Sequence, residues 1–321
     1  ALVSAAAPEV VAAAEARAAA LLQAEVRAYE AALDVASGSE REWLRRTVAS
    51  GTLSDRAAAS TLAVQESPLH ALGALDGLVA LAAKGERQLL AVLDGLVELW
   101  SAHLLPPTRK LRALGTRALS PPPPDALLLR WYAEHRLRGA YEAFVRRALV
   151  ANAAGSATSV AHVKRRAVRA LGALLAAAPE REAELLGALV SKLADPEPRV
   201  ASAAAHALGE VLHAHPAMGE TVVGETGTFA LQPQLPLRAK YYAALFLNQT
   251  LLTRERGAVA VRLLRIYVAL FAQLQARPPA AAAAPAPRAG AGGVGRKRKG
   301  PRGKGGGCLL YTSDAADEED S

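Results

Sequence analysis

Apolar residues recur along most of this chain at the three- and four-residue spacing of one helix face. The spacing predicts a long first helix over residues 8–35, ended by the run Ser37-Gly38-Ser39. From residue 40 onward, helix-type patterns follow one another with short turns, and no useful stretch alternates apolar and polar residues as a half-buried strand would. The pattern therefore predicts an all-α protein.

Two turns carry residues that commonly begin helices. Thr52, followed three residues later by Asp55, resembles a capping box and predicts a helix that runs to Val64. The pair Ser67-Pro68 predicts the next helix start, with the serine as the cap and the proline at the first helical position.

The strongest structural signal lies at residues 185–213. A leucine-rich helix is followed by Asp195-Pro196, and a second helix opens at Arg199. Proline cannot extend the first helix, the aspartate is predicted to cap the second, and the many alanines let the two helices pack closely. This is the pattern of a HEAT repeat, and such helix pairs bury their apolar faces by stacking on one another. We therefore predict an N-terminal helix over 1–36 and a HEAT-like α-solenoid over 37–277.

The end of the chain has a different composition. Residues 278–307 are rich in Ala, Pro and Gly, carry no apolar side chain larger than valine, and are predicted to be disordered. They also contain a basic run that predicts a nuclear localisation signal or a nucleic-acid contact. Its members are Arg296, Lys297, Arg298, Lys299, Arg302 and Lys304.

Residues 308–321 do not continue the preceding composition. The peptide from Cys308 to Glu318 matches the translation of a transposase-type sequencing adaptor, so we interpret 308–321 as an artefact rather than as a genuine acidic tail. Because position 1 is Ala rather than Met, we expect the chain to be a fragment.

Charge and composition narrow the possible functions. The net charge is +8, and removing the tail, with its five acidic and no basic residues, raises it to +13. The single cysteine also lies in the tail, which leaves the rest without a disulfide or a cysteine-based zinc site. Only 4% of residues are aromatic, and the abundant alanine suits a stack of close helices.

Charged residues interrupt every apolar run before the roughly 18–20 residues of a membrane span, so we expect no membrane contact.

The chain lacks the usual motifs of catalysis. There is no metalloprotease motif, no nucleophile elbow and no phosphate-binding loop. His206, His213 and His215 could suggest a metal cluster, but no nearby carboxylate or cysteine completes a ligand set. His135 lies on an apolar face and is interpreted as a packed core residue. We predict no enzyme, no cofactor, no metal and no small-molecule substrate.

Basic groups are the better candidates for function. Clusters occur at residues 109–117, 146–147 and 164–169, where they could follow a phosphate backbone or form an ordinary solvated face. Arg165 and Arg169 share one helix face at the i, i+4 spacing. The candidate nucleic-acid contacts are Arg109, Lys110, Lys164, Arg165, Arg166 and Arg169.

Several segments, taken in order, resemble one known family. They include Ser50 to Arg56, Gln65 to His70, Leu104 to Leu111, Trp131 to His135, Leu189 to Pro196 and Leu237 to Ala243. Together with Trp43-Leu44, this set resembles the family of CCAAT/enhancer-binding protein zeta, Mak and the nucleolar complex (Noc) proteins, over nearly all of residues 39–275.

The resemblance implies a non-enzymatic α-solenoid of the nucleus and nucleolus. It implies a heterodimer with a second, Noc-type protein, contact with the pre-ribosomal particle and its rRNA, and a role in early assembly of the large (60S) subunit.

The alternative functions are a transcription regulator at CCAAT promoters and a transport-type solenoid. The sequence shows no recognition helix, zinc finger or basic zipper for reading duplex DNA. After Phe271 the family would continue into the rest of its CCAAT-binding-factor domain, whereas this chain passes into the basic segment.

Overall fold

The computed structural model describes residues 7–36, 46–48, 50–154, 160–250, 252 and 257–276. In these ranges the backbone forms helices and turns without a strand, which confirms the all-α prediction. The helices of ten or more residues are α1 (Pro8–Ala36), α2 (Leu53–Glu66), α3 (Leu72–Ala82), α4 (Glu86–Glu98), α5 (Asp125–Ala143), α6 (Ala161–Ala177), α7 (Glu182–Ser191), α8 (Pro198–Ala214), α9 (Gly219–Ala230), α10 (Leu237–Asn248) and α11 (Gly257–Gln275). Wider π-helical turns extend α4 over Leu99–Leu104 and α5 over Phe144–Val150.

Neighbouring helices pack in pairs, and each pair packs on the next. Helix α3 lies on α4, α6 on α7, and α9 on both α10 and α11. One continuous apolar core runs through these layers from Ala57 to Leu270. Stacking of this kind is how an α-solenoid buries faces that a single helix pair would leave open, and the predicted HEAT-like solenoid is confirmed.

Helices α6 and α8 stack closely on one another. Gly172 of α6 faces Ala207 of α8, and a Cβ atom added to the glycine would lie 2.7 Å from the alanine Cβ. The absence of a side chain at residue 172 thus sets how near the two helices can approach.

The turn between α7 and α8 differs from the sequence prediction. Helix α7 ends at Ser191, a 3-10 turn follows, and α8 begins only at Pro198. The N-cap is Glu197, whose side chain makes no capping bond, so the prediction that Asp195 caps α8 is wrong. The buried Asp195 carboxylate instead accepts a hydrogen bond of 3.0 Å from the Glu197 N–H, which stabilises the turn ahead of the helix.

Replacing Asp195 with Ala is expected to lower the free energy of unfolding by about 1–2 kcal/mol, because the Glu197 N–H loses its partner. Urea unfolding followed by circular dichroism measures this change. Asp195→Asn is the control, since its amide oxygen can still accept the bond. An unchanged midpoint for Asp195→Ala would contradict a role for this hydrogen bond.

Two other sequence predictions have different outcomes. The capping box is confirmed, since the Asp55 N–H donates to Thr52 Oγ1 and the Thr52 N–H donates to the Asp55 carboxylate. The predicted helix start at Ser67-Pro68 is wrong, because a turn occupies 68–71 and α3 starts at Leu72. The Ser67 hydroxyl bonds His70 Nδ1 at 2.6 Å rather than a helix N–H.

Helix α1 packs on α5 through a second, smaller core. Ala18 and Leu22 of α1 meet Leu128 and Tyr132 there. His135 of α5 is 35% exposed and lies 3.5 Å from Glu15 of α1, so its interpretation as a core histidine is wrong.

Three segments with sequence predictions lie outside the described residues. They are 37–45 with Trp43-Leu44, 278–307 with the basic run, and 308–321 with the acidic tail.

Helix α11 differs from the sequence prediction that charged residues interrupt every apolar run before the length of a membrane span. It has 19 residues and a mean hydropathy of 1.6, enough by length and composition to cross a membrane. One side of α11 packs on α9 in the solenoid core, but only 22% of this apolar stretch is buried. Its buried residues are Val259, Leu263, Ile266 and Leu270.

Candidate nucleic-acid interface

Two carboxylates hold the irregular segment 105–117. Glu180 is buried and accepts a hydrogen bond of 2.7 Å from the Leu111 N–H. Glu134 of α5 accepts one of 3.0 Å from the Arg112 N–H and also pairs with Arg109 and Arg117. The segment is therefore fixed both to α5 and to the turn that precedes α7.

The Glu134 carboxylate stays ionised at neutral pH. Burial by itself would raise its pKa, but the hydrogen bonds from Arg109 and the Arg112 N–H, together with the Arg117 charge, lower its pKa below the ordinary 4.5. A depressed pKa means that these interactions stabilise the fold fully above about pH 4.5, and that the stabilisation is lost as the pH falls through the lower, folded-state pKa.

A cleft of about 810 Å³ lies between this segment and α5. Four arginines and one carboxylate, Glu134, line it, together with His103 and Trp131; the arginines are Arg109, Arg112, Arg117 and Arg130. The Arg117 guanidinium lies 5.3 Å from the centroid of the Trp131 ring, in a cation–π arrangement. We call this surface the basic cleft.

Two of the predicted nucleic-acid contacts lie in segment 105–117. Arg109 lines the basic cleft and its side chain is 56% exposed even though it pairs with Glu134. Lys110 is 61% exposed and lies 3.4 Å from Glu182. Both side chains are more than half exposed, so a ligand can reach each of them.

The basic group on α6 does not form one exposed row. Lys164 is buried, and Arg166 pairs with both carboxylate oxygens of Asp94 on α4, at 2.5 and 2.6 Å. Arg165 is half-buried, whereas Arg169 is exposed. Because successive helical residues point in different directions, four basic residues within six positions cannot share one face. Burial of Lys164 and pairing of Arg166 leave Arg169 as the exposed cation of this group.

The third basic group has a structural role. Arg146 pairs with Glu142 of α5 and Glu184 of α7, and Arg181 pairs with the same two carboxylates. The four charges thus connect α5 to α7.

The histidines near residue 215 do not gather into a metal site. In the described part of the chain no group of three or more metal-binding side chains occurs, and His215 donates a hydrogen bond of 2.6 Å to the Ala176 carbonyl.

The cleft contains residues that the sequence pattern did not select. Arg130 stands alone among the apolar residues of α5, and the sequence singled out Trp131 only as the start of a segment that resembles the family. Both are separated in sequence from the basic cluster at 109–117. The only local signal is the four-residue spacing of Arg130 and Glu134, which is common on helix surfaces.

Comparison with known proteins agrees with this architecture. A family model described as a HEAT-like repeat matches residues 161–211, which cover α6, α7 and most of α8. CCAAT/enhancer-binding protein zeta of Mus musculus is 33% identical over 275 residues, 82% of this chain and 26% of that protein. Ribosome biogenesis protein NOC1 of Chaetomium thermophilum is 34% identical over 276 residues, 79% of this chain and 26% of its own length.

The chain belongs to the CCAAT/enhancer-binding protein zeta and Noc family. Nucleolar complex protein 1 of Drosophila melanogaster, 33% identical over 74% of this chain and 21% of that protein, is a further relative. This Noc-family chain spans about a quarter of the length of the curated relatives it matches.

A second surface of this Noc-family chain is apolar. The outer faces of α10 and α11 expose large side chains at helical spacing: Leu237, Tyr241, Leu245, Val261, Leu264, Val268, Phe271 and Leu274. The two helices contain no carboxylate, and their charged residues are Arg238, Lys240, Arg262 and Arg265. Exposed apolar patches of this kind mark interaction sites. We call this surface the α10–α11 face.

Proposed function

We propose that this chain is part of a non-enzymatic nucleolar scaffold that acts early in assembly of the large (60S) ribosomal subunit. The observation that carries the proposal is its similarity, over about three quarters of its length, to proteins named for ribosome biogenesis and for a nucleolar complex. The solenoid supports it, because stacked helices offer long surfaces on which several partners can assemble. The basic run at 296–304 would direct the protein to the nucleus.

The proposal includes a heterodimer with a second, Noc-type protein through the α10–α11 face. An amphipathic helix of the partner could lay its apolar side on this face. Arg262 pairs with Glu220 of α9, whereas Arg238, Lys240 and Arg265 form no ion pair within the described residues. The matching helix should therefore have acidic residues beside its apolar stripe.

Replacing Leu264 with Glu is expected to abolish recovery of the Noc-type partner, because a charge would lie in the middle of the apolar contact. Co-purification of the two tagged chains measures this. Leu264 is 64% exposed, so its replacement should leave the fold intact. Leu62→Glu is the matched control, since Leu62 is 51% exposed on α2. Normal partner recovery by Leu264→Glu would reject the α10–α11 face as the partner surface.

The proposal also includes contact with pre-ribosomal RNA, supported by the positive charge and the basic cleft. A tagged copy of the chain should recover large-subunit assembly factors and precursor rRNA from nuclear extract. Recovery of CCAAT promoter chromatin without these components would favour a transcription regulator. Recovery of transport factors released by a small GTPase would favour a transport solenoid, and either result would contradict the proposed scaffold.

A further inference from the structure

We propose that the basic cleft binds a single-stranded segment of RNA, with its phosphates on the arginines and a base beside Trp131. The inference rests on the proposed function, which supplies RNA as the ligand. It adds the site, the strandedness of the RNA and the residues that contact it.

The charges in the cleft leave room for an anion. Arg109 and Arg117 share the carboxylate of Glu134, whereas Arg112 and Arg130 are exposed and form no ion pair within the described residues. Their guanidinium groups can donate two parallel hydrogen bonds to a phosphate. A phosphate backbone could therefore bind both arginines without displacing Glu134 from its partners.

The cleft is also preorganised. Segment 105–117 has no long helix of its own, but hydrogen bonds from the Leu111 and Arg112 N–H groups to Glu180 and Glu134 hold its backbone in place. Less conformational entropy is then lost when the arginines bind a ligand. An unattached loop of the same composition would have to be ordered by the RNA itself.

The shape and the aromatic residue favour a single strand. A duplex keeps its bases stacked inside and presents convex rows of phosphates, so little of it can enter a concave cleft. A single strand can turn a base inward, where it stacks on an aromatic ring or on an arginine plane. Trp131 and Arg117 both line the cleft, with Arg117 over the half-buried ring, so a base that enters the cleft meets this pair.

The test replaces the two unpaired arginines in the full chain, as Arg112→Gln/Arg130→Gln. Binding of a short, labelled single-stranded RNA of mixed sequence is measured by fluorescence anisotropy over a range of salt concentrations. Each lost contact with a single-strand phosphate lowers the salt slope by about 0.7, so we expect a decrease of about 1.4 and about 25-fold weaker binding near 0.1 M salt. The melting temperature should not change, because both side chains are exposed.

The matched control is Arg56→Gln/Arg87→Gln. These arginines are exposed on α2 and α4 and line no part of the cleft, and the control removes the same charge. The basic run at 296–304 is present in every protein and contributes equally to each. The control should keep the wild-type salt slope. An equal loss in both double variants would overturn the inference, since overall charge and not the cleft would then bind RNA.

The base contact has its own test. Trp131→Leu is expected to weaken binding of the same RNA about tenfold, within the range measured for one stacked base. Trp131→Phe keeps an aromatic ring and should bind nearly as well as wild type. Wild-type affinity in Trp131→Leu, or an equal loss in both variants, would overturn the stacking role.

The remaining outcomes separate this inference from the proposed function. If the wild-type chain binds RNA and the Arg112→Gln/Arg130→Gln variant is unaffected, only the cleft is rejected. If the wild-type chain binds RNA no better than a neutral solenoid does, the RNA part of the proposed function is rejected as well. Equal affinity for a duplex of the same sequence, or equal displacement by polyglutamate, would overturn the assignment to single-stranded RNA.

Discussion

Replacing Trp100 with Ala should lower the free energy of unfolding by about 3–5 kcal/mol, a large part of the stability of an ordinary domain. Trp100 lies in the π-helical turn after α4 and is fully buried. Its ring meets Tyr141 of α5 edge to face, with centroids 5.0 Å apart and planes at 62°. The substitution opens a cavity where the α4 and α5 layers meet, and urea unfolding followed by circular dichroism measures the cost.

Trp100→Phe separates loss of the ring from loss of the indole N–H. The N–H is buried and has no hydrogen-bond partner in the described structure, so its removal costs little. We expect Trp100→Phe to lose less than about 1.5 kcal/mol, because an aromatic ring still fills most of the space. Similar losses in the two variants would show that ring packing is not the main contribution of Trp100.

Gly172→Leu should destabilise the protein by about 3 kcal/mol, because it forces α6 and α8 apart. The first added carbon would already lie 2.7 Å from the Ala207 Cβ and 3.5 Å from its Cα, and the backbone cannot move aside easily. The melting temperature of the full chain is the measurement. Gly187→Leu is the matched control at an exposed position of α7, where nothing lies within 4 Å of the added Cβ atom. It should be stabilising by up to about 1 kcal/mol through higher helix propensity.

A double-mutant cycle tests the contact itself. Gly172→Ala alone should destabilise, and combining it with Ala207→Gly should restore part of the loss, because the second change removes the methyl group that clashes. Residues in direct contact give such non-additive effects, whereas distant residues do not. Strict additivity would contradict the close approach at Gly172 as the cause.

The solenoid could be predicted because its signals are local. Helical spacing of apolar residues, the Thr52–Asp55 capping box and the paired helices around 185–213 all depend on residues within a few positions of one another. The structure has helices at these places and stacks them as a repeat architecture requires. Family membership was predictable for a related reason, since it depends on the order of short segments.

Helix starts were less predictable, because several residues near each start can compete for the same role. Asp195 and Ser67 are both good capping residues by type. In the structure the first accepts the Glu197 N–H ahead of the helix and the second bonds His70. Which local hydrogen bond forms depends on burial and on packing of the neighbouring helix, and the sequence pattern contains neither.

The sequence by itself determined the all-α class, the repeat architecture and the positive charge of this chain. Tertiary structure alone decided which charges are available: it buried Lys164, paired Arg166 with Asp94, and left Arg112 and Arg130 exposed. It also joined Glu134 to Arg109 across 25 positions and Glu180 to Leu111 across 69. The physical reason is that helix periodicity reports only which residues share a face, whereas the basic cleft depends on which faces the stacked helices and loops bring together.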